Sequence, residues 1–534
     1  MTNKKHYDAI VIGAGFGGIY SIYKLKNELG LDVIGYEKGA EVGGTWFWNR
    51  YPGALSDSES YVYQYSFDKE LYNDFKWTHT YLTQPQVNGY LNHVADRYDL
   101  RGSFQFNTTV TAAHFKEDKN IWEVTTDKGD TVTAKYLITG LGLLSAANIP
   151  NFKGRETFQG EQYHTARWPE NVDLKGKRVG VIGNGSTGVQ LITAIAPEVG
   201  HLSVFQRTPQ YSVPLGYREQ SDEEIKGIKD KFDEVWDFTK NSQTAQGCEE
   251  SDISTFDVSD AEREKIYEWG WNKGGGFRFM FGTFNDMAID PKANELATNF
   301  IKKKIKEIVK DPVTAEKLTP EGLHAKRPLA DNGYFQTFNR DNVSLVDVKE
   351  NPIVEITPKG IRTTDNEYEL DVIIFATGFD AIEGNYMKID LRGRNGVTIN
   401  EKWADGPTGY LATTNSDFPN MFMVLGPNGP FTNLATAAEV QIDWIGDTLK
   451  HMIDNNHQTI EPTEDMEKEW VKICKDISDS TLFSKVDSWI FGANIPGKKN
   501  AIRFYMGGMG TYRKEMKERG YNGFIFDKKL IGQK

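Results

Sequence analysis

The sequence predicts an α/β fold of two Rossmann-like units with a helical insertion, on three observations. A β-branched run, Asp8 to Ile12, ends in Gly13-Ala14-Gly15-Phe16-Gly17-Gly18 and gives way to the helix-forming stretch Tyr20 to Leu29. The same order returns at Arg178 to Ile182, Gly183-Asn184-Gly185-Ser186-Thr187-Gly188 and the apolar helix Val189 to Ala196. Residues near 216–326 then lack β-branched runs and are charged and helix-forming, which marks an insertion before the apolar run Val372 to Phe375.

In the first unit Gly13 permits the tight turn, Gly15 lets a pyrophosphate approach the backbone, and Gly18 allows close packing of helix on strand. The helix N-terminus supplies oriented N–H groups to the phosphates. A glycine turn alone is weak evidence, but a second apolar run, Asp32 to Tyr36, ends in Glu37, nineteen residues beyond Gly18. A carboxylate there suits ribose hydroxyls, as in an FAD site. In the second unit the residue nineteen beyond Gly188 is Arg207, followed by Thr208. A cation at that position pairs with a 2′-phosphate, so Gly183, Gly185, Ser186, Thr187 and Gly188 are expected to hold NADPH. Leu137 to Gly142 and Val372 to Asp380 look like strands ending in small-residue turns where the chain passes between the two units.

The bulk properties fit this layout. At 534 residues the chain exceeds what one core supports, so two or three domains are expected. The net charge of −13 disfavours nucleic acid and anionic membranes, and any anionic ligand needs a local basic site. Lys302, Lys303, Lys304 and Lys306, interleaved with Ile301, Ile305 and Ile308, read as the solvated face of a helix. Cys248 and Cys474 form no Cys-x-x-Cys pair, which argues against a disulfide framework and a thiol redox centre. No apolar run reaches the roughly 18 residues of a membrane span, and the basic start MTNKKHY passes into a strand without a cleavage signal. A cytoplasmic protein, monomeric and bound to neither nucleic acid nor membrane, is the expectation.

Two nucleotide sites point to hydride transfer from NADPH to FAD, and without a cysteine pair the electrons suit molecular oxygen. Phe158, Gly160, His164, Trp168 and Pro169 match the FxGxxxHxxxWP fingerprint of the Baeyer–Villiger monooxygenases, and Gly43 to Asp57 fits their longer N-terminal signature. Further stretches, such as Gly274 to Phe281, Phe422 to Leu434 and Trp489 to Asn500, resemble the cyclohexanone monooxygenase type, so the likeness covers nearly the whole chain.

That resemblance implies NADPH- and O2-dependent conversion of cyclic ketones to esters or lactones through a C4a-peroxyflavin, with sulfoxidation as a side activity. It implies FAD contacts at Thr45 and Trp46. Arg327, in Ala325-Lys326-Arg327-Pro328, matches the family's catalytic arginine, and Asp57 its carboxylate partner; both also touch the cofactors. Lys326 joins Arg207 and Thr208 around the 2′-phosphate. The ketone pocket is drawn from Leu143, Leu144, Phe277, Phe431, Thr432, Leu434 and Phe504, with Trp489 beside nicotinamide and substrate on a mobile segment, Asp487 to Asn500. His164 is read as a structural histidine between the units. Ala435-Thr436 departs from the two prolines of close relatives, which implies a more flexible pocket wall. FAD-binding segments are expected at 1–145 and 381–534, an NADPH domain at 150–215 and 327–380, and the helical insertion at 216–326.

Overall fold

The computed structural model describes residues 5–527; the start of the basic leader, residues 1–4, and residues 528–534 lie outside them. Strand β1 (His6–Ile12) runs parallel to β2 (Val33–Tyr36) on one side and to the strand Thr131–Thr139 on the other. Ala9 to Ile12 are all buried, which is why this strand is continuously apolar and does not alternate. Helix α1 (Phe16–Ile22) follows the glycine turn and packs against the long helix Leu434–Asp454.

The sheet then continues as an antiparallel meander through Ile121–Thr126 and Val110–Lys116. Late parts of the chain return to it. Met421–Met423 pairs in parallel with Leu137–Thr139, and Asp390–Arg392 pairs with Ala112–His114.

A second, five-stranded sheet is parallel throughout, in the spatial order Val343–Asp347, His201–Gln206, Arg178–Ile182, Val372–Phe375, Glu161–His164. The fingerprint segment therefore ends on this sheet's edge. His164 is buried and its Nδ1 accepts the Ala166 N–H, while burial holds its pKa below the ordinary histidine value, as suits a structural residue.

Between 215 and 328 the described residues contain helices and no strand. Their starts obey simple capping chemistry. Ser221 with Glu224 and Ser259 with Glu262 form capping boxes, and Asp290 and Asp311 cap helices that open on Pro291 and Pro312. On Pro291–Ile308 the side chains of Ile301 and Ile305 are fully buried, whereas Lys303 and Lys306 pair with Glu264 and Glu316 at the surface. The strand pair Ser212–Pro214 with Leu329–Asp331 brackets this helical stretch and returns Lys326 and Arg327 to the neighbourhood of Arg207. Among the described residues no helix is long and apolar enough to cross a membrane.

Candidate active site

A single cavity of about 1060 Å³ runs between the carboxyl ends of the two parallel strand sets, where such folds bind ligands. Each sheet delivers a glycine turn to it. Gly13 and Gly183 adopt φ of +101° and +107°, and a Cβ at either would lie 2.4 Å from the Gly140 carbonyl or 2.5 Å from that of Ala376. The two turns thus abut the small-residue turns that close the neighbouring strands.

Gly188 was expected to help hold NADPH and Gly18 to shape the FAD turn, and neither reaches the cavity wall. Their Cβ atoms would strike the carbonyls of Gly13 and Gly183 at 1.8 and 2.4 Å, so they let the first helical turn close on the strand end. Gly15 and Gly185 do line the cavity, and each stands at the N-terminus of a helix with no side-chain cap. A Cβ on Gly185 would meet nothing within 4 Å, and one on Gly15 only the Gly44 backbone, at 3.4 Å from its Cα. The result is two open cradles with uncapped N–H groups, which fit two pyrophosphates.

Glu37, at the end of β2, is buried and engaged: its Oε2 accepts the Ala14 N–H at 2.8 Å and its Oε1 the Gly39 N–H at 2.6 Å. Burial raises its pKa, opposed by those backbone donors. A carboxylate has lone pairs left over for ribose hydroxyls, so the fit to FAD holds alongside a turn-fixing task that spacing did not reveal. Thr45 and Trp46 open a one-turn helix, α2 (Thr45–Trp48), that lines the same region.

Arg207, Thr208, Ser186, Thr187 and Lys326 all line the cavity on the side of the second turn. Burial and the nearby Arg207 charge hold the Lys326 pKa below the ordinary lysine value. Two cations in mutual repulsion suit a bound dianion, which would relieve both.

Asp57 lies on β3 (Leu55–Glu59), between the two cradles, and its Oδ2 is 2.5 Å from Arg327 Nη1. The side chains keep 31% and 22% exposure, and both face the cavity, so the guanidinium is held by one carboxylate with donors to spare. Its Cζ sits 5.4 Å from the Phe277 ring centroid. Tyr51 and Gln190 tie the two units together near this point: Tyr51 donates its hydroxyl hydrogen to Gln190 Oε1 at 2.8 Å, and Gln190 Nε2 donates to the Leu55 carbonyl at 3.1 Å.

Leu143, Leu144, Phe277, Phe431, Thr432, Leu434, Trp489 and Phe504 all line the cavity. Phe431 lies at ring-centroid distances of 6.0 Å from Phe277 and 5.4 Å from Phe504. Ala435 and Thr436 stand in the first turn of the helix Leu434–Asp454, where Asn433 Oδ1 accepts the Ala435 N–H. The pocket wall at this point is therefore a capped helical turn. Sequence reasoning missed Gln246, a buried polar residue on this wall.

The segment from Asp487 to Asn500 carries Trp489, whose ring is 5.8 Å from Phe504. It is fastened at a few points: Asn494 Nδ2 donates to the Phe379 carbonyl at 2.8 Å, and Lys498 pairs with Asp380 and, at 2.9 Å, with Glu383. Residues 379–383 follow the closing turn of the second sheet, so these contacts tie the segment to that turn. Adding NADP⁺ is expected to slow amide exchange across residues 487–500 at least several-fold; equal exchange with and without it would rule out a lid.

The comparisons agree with this arrangement. Residues 5–211 match the flavin-binding monooxygenase-like family. A Baeyer–Villiger monooxygenase of Pseudooceanicola batsensis is 57% identical over 526 residues, covering 98% of this chain and 96% of its own. The phenazine N-monooxygenase PhzNO1 of Lysobacter antibioticus is 49% identical over 528 residues, 98% of each chain. The crystal structure of cyclohexanone monooxygenase from Rhodococcus sp. Phi1 bound to NADP⁺ matches with a TM-score of 0.97 at 55% identity, covering 99% of this chain and 100% of that one. With two nucleotide cradles, a paired arginine between them and this identity over almost its full length, the chain belongs to the Baeyer–Villiger monooxygenase family of flavoproteins.

Proposed function

We propose that the protein catalyses the NADPH- and O2-dependent Baeyer–Villiger oxidation of cyclic ketones to lactones, consuming one ketone, O2, NADPH and a proton and yielding lactone, NADP⁺ and water. The observation that carries this reading is the Arg327–Asp57 pair, turned into an apolar cavity between two dinucleotide cradles. FAD, when bound, supplies the two-electron redox chemistry with NADPH and O2.

The chain's own residues then do the rest. The Gly13–Gly15 turn with Glu37, Thr45 and Trp46 holds FAD, and the Gly183–Gly185 turn with Ser186, Thr187, Arg207, Thr208 and Lys326 holds NADPH. Oxygen insertion into a C–C bond builds negative charge on the ketone oxygen. Arg327, permanently cationic, is aimed at that charge, and Asp57 fixes the guanidinium plane. The wall of Leu143, Leu144, Phe277, Phe431, Leu434 and Phe504 takes the ketone's hydrocarbon and excludes water, with Thr432 at its edge and Trp489 closing over it.

In this reading residues 1–145 and 381–534 form the FAD part, 150–215 and 327–380 the NADPH part, and 216–326 the helical insertion. The reading includes a cytoplasmic location, in keeping with two buried free thiols, and a monomeric enzyme. Heteroatom oxidation is the second reading, favoured by the similarity to a phenazine N-monooxygenase, and sulfoxidation is the side activity we expect.

A panel of cyclohexanone, cyclopentanone, a thioether and phenazine, incubated with holoenzyme, NADPH and O2, decides between them. Lactone is expected from cyclohexanone, with sulfoxide as the lesser product. N-oxide or sulfoxide without lactone from either ketone would overturn the proposal.

A further inference from the structure

Beside the Arg327–Asp57 pair and the Thr432 hydroxyl, the largely apolar wall of the cavity carries one buried carboxamide, that of Gln246. Gln246 is 5% exposed and lines the cavity. The Ser58 hydroxyl donates to its Oε1, next along β3 from Asp57. The Glu59 N–H donates to the Gln246 carbonyl at 3.3 Å. Two residues earlier, the Thr244 carbonyl accepts from the Thr432 hydroxyl and, at 3.0 Å, from the Asn433 N–H. The segment is therefore stitched on one side to the strand that carries Asp57 and on the other to the wall of Thr432 and Leu434.

Held in this way, the amide has a fixed direction. Its oxygen is spent on Ser58. Its Nε2 has no acceptor among the described residues, and the side chain lines the cavity, which leaves the N–H donors available to a ligand bound there. A buried amide donor is costly when a bound ligand covers it without accepting.

We propose that Gln246 is a specificity-determining residue and that the preferred substrates are cyclic ketones bearing a second hydrogen-bond acceptor, an ether, ester or oxo oxygen. A ketone with only hydrocarbon at that point displaces water from the N–H groups and returns nothing. One with an oxygen there keeps them satisfied. Sites built around such a donor discriminate against the analogue that lacks the acceptor more strongly than apolar pockets discriminate by size. The inference rests on the ketone-oxidising reading above.

The test uses shape-matched ketones: 2-, 3- and 4-methoxycyclohexanone, each against the corresponding ethylcyclohexanone, with cyclohexanone as reference. Wild-type holoenzyme is expected to favour the methoxy member at one ring position by about tenfold in kcat/KM, mostly through KM. Gln246→Leu should erase that preference. Gln246→Glu keeps the acceptor for Ser58 but turns the donors into a carboxylate, and should reverse it; this variant decides the matter if the leucine variant fails to retain FAD. Lactone formation from both members with the same ranking in wild type and variants would overturn this inference alone. Absence of lactone from every ketone, cyclohexanone included, would overturn the functional reading and this one with it.

Discussion

The Arg207→Ala/Lys326→Ala double variant is expected to lose its preference for NADPH over NADH by a hundredfold or more, while turnover at saturating NADPH changes little. Both cations line the cavity beside the second glycine turn. Each charge-assisted hydrogen bond to a phosphate contributes about 1.5–3 kcal/mol, so two removed together amount to roughly 10²–10⁴ in KM. The 2′-phosphate is remote from the reacting nicotinamide, so this is uniform binding energy and its loss appears in KM.

The titration of Lys326 adds a pH signature. Burial and the Arg207 charge lower its pKa in the free protein, so it discharges at lower pH than an ordinary lysine, and NADPH affinity should fall as pH rises through that lowered value. Arg207→Ala removes one of the two causes and should shift the decline towards alkaline pH. NADH binding should show no such limb. Unchanged NADPH/NADH selectivity in the double variant, measured by steady-state kinetics with both cofactors, would refute the assignment.

The parts of this site that were legible in the sequence are those whose chemistry is local. A glycine turn between strand and helix announces itself because neighbouring residues fix its geometry: Gly13 needs positive φ, and Gly18 sits against the Gly13 carbonyl. Arg207 follows from a strand end at a fixed distance along one βαβ unit. The return of Met421–Met423 to the first sheet depends on pairing across a long separation, which periodicity does not encode. Lys326 and Arg327 reach the cavity through the pairing of Ser212–Pro214 with Leu329–Asp331, and resemblance alone pointed to them. Gln246 left no local signal, because its significance arises only once Ser58 and the Thr432 wall enclose it. Glu37 was expected at a ribose, and spacing did not reveal that it also fixes its own turn, since its hydrogen bonds to Ala14 and Gly39 are set by folding of that turn.

Arg327→Ala should fold, retain FAD and bind NADPH, and yet form lactone on the order of 10²–10³ more slowly. The arginine is anchored by one carboxylate, Asp57, and lies over the Phe277 ring, so its unpaired donors face the cavity at the meeting point of both cradles and the ketone wall. A cation aimed at charge that develops only during oxygen insertion contributes to the transition state more than to ketone binding. kcat and kcat/KM should therefore fall together. Flavin reduction should slow as well, by less, since the same guanidinium borders the nicotinamide side of the cavity. Oxygen still consumed should appear as hydrogen peroxide. Arg327→Lys keeps a positive charge but loses the planar fork that Asp57 orients, so partial recovery at most is expected. Asp57→Ala removes the positioning and leaves the cation, and should impair both half-reactions less than loss of the arginine. Stopped-flow reduction and reoxidation, with lactone and peroxide quantified for the three variants, measure these differences. A near-normal lactone yield from Arg327→Ala would show that the arginine is structural and that the charge is stabilised elsewhere in the cavity.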